Sequence, residues 1–398
     1  MLENLSPYDL LVPPKVVFGW GRRTEVGALA STLGRRAFVI HGSRTLETNG
    51  VLAQLLGHLT AAGLETVALG VVTREPRVTD VDAMTEEILR HQTAPGDLVV
   101  AIGGGSALDL GKAVAAMATN RRASDSSCLS VRDFLEGVGT GAQLAVAPLP
   151  VLAIPTTAGT GSEATKNAVI SNDDPPFKKS LRSDAMVPRA VLIDPELTVS
   201  MSPAMTAHTG MDAITQLIES YISCRAKPIP RALAMDGLRL AVPAIELAIK
   251  DGTHRAAREA MAHAAFLSGV ALANSGLGMA HGVAAALGIH CDVPHGLACA
   301  VMLPPTLRAN QQIAAKPLAE LGRAVGSTEL NDAAAAEAFI QQIESLCRSL
   351  QIPATLREIG VRPWQLPQLV QGSRGNSMNG NPRPIDDGEL TQILERIL

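Results

Sequence analysis

The chain has 398 residues, room for two domains at roughly 150 residues each, and 46% of them are apolar against 18% charged, which excludes wholesale disorder. Lys plus Arg total 34 and Asp plus Glu 38, for a net charge of −4, while aromatics are only 3%. There is no basic excess to draw the chain to nucleic acid or an anionic membrane, and little material for base stacking. The longest apolar stretch, 144–155, holds three prolines in 12 residues and falls short of the roughly 20 that a spanning helix needs. Met1-Leu-Glu-Asn-Leu lacks the basic and apolar regions of a secretory signal. Five cysteines (Cys128, Cys224, Cys291, Cys299, Cys347) are odd in number, scattered and form no CxxC, the pattern of reduced thiols. The expectation is a soluble, cytoplasmic, globular protein with neither nucleic acid nor membrane as partner.

In chain order, short β-branched runs predict strands at 37–40, 66–72, 98–102, 151–154, 167–171 and 190–193. Apolar residues at helical spacing predict helices at 46–61, 78–90 and 107–118. Continuous apolar strands alternating with helices predict a parallel, Rossmann-like sheet covered on both faces. After Asp194-Pro195-Glu196 the strand signal fades. Segments 203–221, 231–249, 255–273, 278–288 and 337–350 read as helices, many alanine-rich, with Gly/Pro punctuation between them. The organisation expected is an α/β dinucleotide-binding domain over 1–198 and an all-helical domain over 199–398.

Two segments of the first half carry chemistry. The strand at 98–102 runs into Gly103-Gly104-Gly105-Ser106 and then a helix. Absent side chains let backbone N–H groups close on a phosphate, and the helix N-terminus adds positive potential. This is neither GxGxxG nor a Walker A loop, and a plain tight turn remains open for it alone. The second segment, Pro155-Thr156-Thr157-Ala158-Gly159-Thr160-Gly161-Ser162-Glu163, also follows a strand. Its hydroxyls and glycines suit a diphosphate or ribose, with a Ser/Thr-rich helix cap as the plain alternative. Two such loops after strands of one sheet belong together at its carboxyl edge. Nucleotide binding is the better reading.

In the helical half, Asp212 and Gln216 lie four apart on one helix face. His281-Gly282, His290 and Pro294-His295-Gly296 follow. A carboxylate with two imidazoles can hold a divalent ion and leave a position for a substrate oxygen. His254 and His263 are read as ordinary packed or surface residues.

With these segments in order, the chain resembles the iron-containing (group III) alcohol dehydrogenases of the dehydroquinate synthase-like superfamily, nearly end to end. The family's GGGSxxDxxK loop stands at Gly103 to Lys112 and its PTTAGTGSE segment at Pro155 to Glu163. A lysine-x-serine stretch looks like Lys178-Lys179-Ser180, and DPEL is Asp194 to Leu197. The GxDAxxH helix appears as Gly210 to Gln216, and the HGxxH and PHG elements at His281-Gly282 and Pro294 to Gly296. The resemblance implies NAD- or NADP-linked interconversion of a small alcohol and its aldehyde or ketone in an interdomain cleft, assisted by Fe²⁺ or Zn²⁺ as Lewis acid. It implies Asp212, His281 and His295 as metal ligands, Gln216 at the position of the family's second ligand, and His281 and His295 at the catalytic centre. Gly103, Gly104, Gly105, Ser106, Thr156, Thr157 and Thr160 would bind the cofactor, with Asp109 and Lys178 near it in cofactor-binding and catalytic roles. A homodimer or higher homo-oligomer is also implied.

Two positions depart from the family. Gln216 replaces a histidine with a weaker, neutral amide donor. Ala285 stands where many members carry a histidine proposed to relay protons, and His290 is a possible substitute. A metal-free carbonyl reductase of the maleylacetate reductase type therefore stays open, as does a catalytically idle nucleotide-binding relative. After the strand at 37–40, Ser43 occupies the position where NAD-preferring relatives commonly carry an aspartate, and Arg44 could pair with a 2′-phosphate. NADP(H) is accordingly expected to be accepted at least as well as NAD(H).

Overall fold

The computed structural model describes residues 7–42, 44–121 and 129–398. The chain divides into two compact units, one of residues 13–206 with 250–266, the other of 207–249 and 267–398 with the stretch up to Val12.

The first unit is built on eight strands: β1 (Val16–Phe18), β2 (Arg36–Gly42), β3 (Glu65–Val72), β4 (Asp97–Gly103), β5 (Val151–Pro155), β6 (Asn167–Asp173), β7 (Pro176–Arg182) and β8 (Ala190–Ile193). Helices α1 (Val26–Ser31), α2 (Arg44–Thr48), α3 (Val51–Ala61), α4 (Val78–Arg90) and α5 (Gly105–Asn120) connect them. Six strands form one sheet in the order β1-β8-β5-β4-β2-β3, every pair parallel. Successive residues of a strand point to opposite faces, and both faces are buried here. Phe38, Ile40 and Val99 join Val81, Ile88 and Val114 on one side. Ala37, Val39, Leu98 and Val100 join Leu29, Leu55 and Leu59 on the other. Each fully buried Val, Leu, Ile or Phe among them contributes about 1.5–3 kcal/mol. That two-sided burial explains why these strands read as unbroken apolar runs.

Segment 167–171 departs from the parallel-sheet expectation. Its strand, β6, pairs antiparallel with β7 in a separate two-stranded sheet. The physical mark is its alternation: Ala168 and Ile170 are fully buried while Asn167, Val169 and Ser171 are not. One covered face suits an antiparallel ribbon, not the centre of a parallel sheet. The segment 46–61 is broken into α2 and α3 at Asn49-Gly50, where Gly50 adopts a left-handed φ of 78°.

The second unit is helical, with no strand among its described residues. Its elements are α6 (Pro203–Ile222), α7 (Pro228–Lys250), α8 (Arg255–Ser275), α9 (Met279–Cys291), α10 (His295–Asn310), α11 (Ala315–Ala324), α12 (Asp332–Ser349), α13 (Leu366–Gly372) and α14 (Asp387–Arg396), the starts of α6 and α8 and the end of α7 belonging to the first unit. Ile214, Leu217, Leu238, Val283, Leu287, Met302, Leu303 and Phe339 are fully buried. Helix α10 has no counterpart among the predicted elements. It contains Pro304-Pro305, and internal prolines argue against a helix locally; burial of Ala298 to Leu303 and Leu307 overrides that preference. No single described helix is long and apolar enough to cross a membrane.

Candidate functional site

In the first unit, the two glycine-rich segments meet. Strands β4 and β5 are neighbours, and Thr156 N donates to Gly103 O at 2.9 Å where both end. The chain moves from β2 outward to β3 and then back across β2 to β4, so the order reverses between β2 and β4, the crevice where such sheets bind ligands. Gly103 is required there. Its φ is +152°, and a Cβ would sit 2.7 Å from Ala107 Cβ and 3.0 Å from Gly42 N. At Gly105, a Cβ would lie 2.8 Å from Thr160 Cγ2, and at Gly104, 3.2 Å from Thr157 Cγ2. The loops are therefore in contact through missing side chains. Gly105 and Ser106 open α5, and the N-terminal end of such a helix attracts anions.

Asp109, which the resemblance places near the cofactor, has both carboxylate oxygens engaged within the first unit. Its Oδ1 accepts from the Ser162 hydroxyl and pairs with Lys112 Nζ at 3.0 Å, and its Oδ2 accepts from Val169 N at 2.9 Å. Lys112, fully buried, also donates to Ser162 O and Thr165 Oγ1, both at 2.9 Å, and to Asn167 O. Burial lowers the Lys112 pKa, against the pull of Asp109. The two side chains bolt the second loop to α5. Glu163, also buried, is pushed up to about 7 by desolvation, against a backbone hydrogen bond and Lys112. Lys178, on β7, pairs with Glu75 beyond β3. Arg44 is exposed at the start of α2, and Ser43 lies outside the described residues.

In the second unit, α6, α9 and α10 bring Asp212, His281 and His295 together. His281 Nε2 is 3.3 Å and His295 Nε2 3.9 Å from Asp212 Oδ1, and the two rings meet edge to face with centroids 5.5 Å apart. Asp212 and His281 are buried, while the His295 side chain is 32% exposed. Close packing depends on glycines. A Cβ on Gly296 would lie 2.5 Å from His208 O, and one on Gly278 would lie 2.8 Å from Glu219 Oε1.

Glu219 and Cys299 belong to this cluster without having been singled out from the sequence. Glu219 Oε2 accepts from His281 Nδ1 at 2.7 Å, and Oε1 accepts from Ala280 N at 2.7 Å. It therefore caps α9 and turns His281 so that Nε2 faces Asp212. Cys299 Sγ lies 3.7 Å from His295 Nε2. The ligand atoms of Asp212, His281, His295 and Cys299 all lie within 4.8 Å of one another, a set able to hold a metal ion. Signals for both existed. Glu219 is seven residues beyond Asp212, on the same helix face, and Cys299 is four beyond His295; the second was hidden because α10 was not expected. Gln216 is buried on the same helix, and its Oε1 accepts from Ser268 Oγ at 2.6 Å.

Charge is balanced inside the cluster. Burial alone would raise the Asp212 pKa, but the His281 hydrogen bond and the two imidazole charges hold it below the ordinary carboxylate value. Burial works against a charged His281, and its neighbours Cys299, Asp212 and Glu219 outweigh it, raising its pKa well above the usual value. Burial pushes the Cys299 thiol up to about 12, its two carboxylate neighbours adding to the rise while His281 opposes it. A divalent ion would replace protons on such donors.

The other histidines considered from the sequence lie outside this set of donors. His290 is nine residues along α9 from His281, about 13 Å at 1.5 Å per residue, against Gly372. His254 Nδ1 accepts from Ala257 N at 3.2 Å, and His263 stacks edge-on against Phe18.

Comparison with known proteins matches residues 13–195 to "Iron-containing alcohol dehydrogenase" and 206–398 to the "Fe-containing alcohol dehydrogenase family, C-terminal". The chain is 33% identical over 397 residues to a 1,3-propanediol dehydrogenase of Klebsiella pneumoniae, covering 98% of each. A crystal structure of a 1,3-propanediol oxidoreductase superposes with TM-score 0.89 at 32% identity, over 99% of this chain and 100% of that one. A sulfoacetaldehyde reductase from Bifidobacterium kashiwanohense, in complex with NAD+, gives TM-score 0.86 at 29% identity, over 98% and 99%.

Proposed function

The chain belongs to the iron-containing alcohol dehydrogenase family, and from that premise we propose that it interconverts a small alcohol with its aldehyde or ketone using NAD(P) and a divalent metal held by Asp212, His281 and His295. The observation that carries this reading is the convergence of one carboxylate and two imidazoles from three helices. The donor set fits a borderline divalent ion such as Fe²⁺ or Zn²⁺. When bound, that ion supplies a Lewis acid for the substrate oxygen, while the nicotinamide carries the hydride.

The chain's own residues set the conditions. Asp212 contributes a buried negative charge. Glu219 fixes the His281 tautomer by accepting from Nδ1, leaving Nε2 as the donor to the ion. His295 is the accessible member, so a substrate oxygen reaches the cluster on its side. In the other unit, the N-terminus of α5 and Thr156, Thr157 and Thr160 hold the cofactor's diphosphate and ribose, and Asp109 with Lys112 positions the second loop. NADP(H) is accepted at least as well as NAD(H), because Arg44 stands exposed just past β2 and a guanidinium pairs well with phosphate. The same reading makes the protein a cytoplasmic homodimer or larger homo-oligomer.

The test is oxidation of NADH and NADPH with a panel of small aldehydes, before and after metal removal. Metal-dependent turnover is expected, with NADPH at least as effective and Arg44→Ala lowering its kcat/KM by about 10–100-fold, the worth of a charge-assisted bond of roughly 1.5–3 kcal/mol. Full activity of stripped protein overturns the metal's role, and a wild-type NADH preference unmoved by Arg44→Ala overturns the NADP reading.

A further inference from the structure

The structure assigns the fourth protein ligand of this metal centre to Cys299, as thiolate, with Gln216 standing outside the coordination sphere. The inference rests on the reading of Asp212, His281 and His295 as metal ligands.

Geometry is the first support. A tetrahedral ion with arms of about 2.0–2.3 Å has ligand-to-ligand edges of about 3.3–3.8 Å. The observed edges are 3.3 Å from His281 Nε2 to Asp212 Oδ1, 3.7 Å from His295 Nε2 to Cys299 Sγ, and 3.9 Å from His295 Nε2 to Asp212 Oδ1. Three of the six edges are thus at or close to those of one small coordination shell, and all four ligand atoms lie within 4.8 Å of one another. Local structure explains it. His295 and Cys299 are four apart on the first turns of α10, so both side chains project to one face. The close approach of Gly296 to the α6 backbone at His208 brings that face against α6, which carries Asp212.

Gln216 is the second support. Its amide oxygen already accepts the Ser268 hydroxyl at 2.6 Å inside the helical core. A neutral amide oxygen is also a poor donor to a borderline ion compared with a thiolate. The chain therefore lacks a histidine at Gln216 and supplies sulfur from the opposite helix. One carboxylate, two imidazoles and one thiolate make a softer shell than one with an amide oxygen in place of sulfur, and soft ligands favour Zn²⁺ over Fe²⁺. Loading breaks the Cys299 S–H bond: the proton leaves to solvent, the sulfur lone pair binds the ion, and no electron is transferred. Catalytic zinc centres can expand to five ligands, so four protein donors still admit a substrate oxygen.

The experiment uses the full-length protein, stripped with chelator and titrated with Co²⁺ and Zn²⁺. Wild type is expected to bind one Co²⁺ with a sulfur-to-cobalt charge-transfer band, and its Zn²⁺ form to show one sulfur neighbour at about 2.3 Å by X-ray absorption. Cys299→Ser should abolish the band and weaken Zn²⁺ binding, measured by chelator competition, by at least the about 10–100-fold that loss of an outer-shell partner costs. Gln216→Ala and Cys224→Ser should retain the band. Stoichiometric Co²⁺ binding by wild type without a sulfur band or Zn–S distance overturns the thiolate ligand and leaves the Asp–His–His centre standing. Failure of wild type to bind either ion overturns the metal centre and this inference with it.

Discussion

The two units build their sites from opposite materials. Around Gly103, Gly104 and Gly105 the chain makes its candidate ligand surface by leaving side chains out, so that the glycine loop and Thr157 and Thr160 approach one another closely. Around Asp212 the helical unit does the reverse: it buries carboxylate, imidazole and thiol groups together and balances their charges. A site made of backbone depends on φ angles and on the absence of single atoms. A site made of side chains depends on which donor each helix face presents and on what orients it. The first should therefore fail sharply at its glycines, and the second in graded steps through its outer partners.

The largest effect is expected at Gly103. Gly103→Ala places a methyl 2.7 Å from Ala107 Cβ in a backbone conformation that only glycine adopts readily. Overpacking of about 1–3 kcal/mol and backbone strain of about 1–3 kcal/mol predict a loss of about 2–6 kcal/mol in denaturant unfolding, with a raised KM for the cofactor. Metal binding by Asp212, His281 and His295 in the same variant, if it folds, should be unchanged. A loss of metal affinity with cofactor affinity intact would break the contrast between the units.

A second test sharpens the contrast within the loop region, where Glu163 is the exceptional buried acid. Its carboxyl holds its proton more tightly in the folded chain, up to about 7, than at its ordinary 4.5. Folded protein therefore binds more protons than unfolded protein between these values, and stability declines as pH rises from about 4.5 to about 7, then levels off. Glu163→Gln should remove that decline and be more stable at pH 8 by up to about 3 kcal/mol. Tm measured from pH 5 to 8 reads this directly, and parallel curves for the two proteins would refute it.

The smallest expected effect is at Glu219, which orients His281 without belonging to the set of donors. Glu219→Gln keeps a carbonyl acceptor for His281 Nδ1 but removes the charge. Metal affinity should fall by about 10–100-fold, with the fold intact. An unchanged metal affinity would show that packing alone orients the ring.

Much of this architecture is legible in the amino-acid sequence. Unbroken apolar runs such as 98–102 can be stable only with both faces covered, so a parallel sheet with flanking helices followed from local composition. The glycine and threonine segments were recognisable because chemistry at a strand end needs particular residues in a short span. Resemblance over several ordered motifs pointed to the family, which the comparisons establish. Segment 167–171 was legible as a strand but not as part of a hairpin, since its partner β7, Pro176–Arg182, is a mixed polar segment paired through the tertiary fold.

Three features depended on packing between distant segments. Helix α10 forms despite Pro304-Pro305 because its apolar residues are buried among other helices, and only as a helix does it set Cys299 beside His295. Glu219 becomes the partner of His281 because α6 meets the N-terminus of α9, 62 residues away along the chain. Gln216, expected from the resemblance at a ligand position, has its oxygen engaged by Ser268, 52 residues distant. Residue types and local periodicity are written in the sequence. Which donor faces which is decided when helices far apart in the chain pack, because buried polar groups must find partners wherever the core brings them.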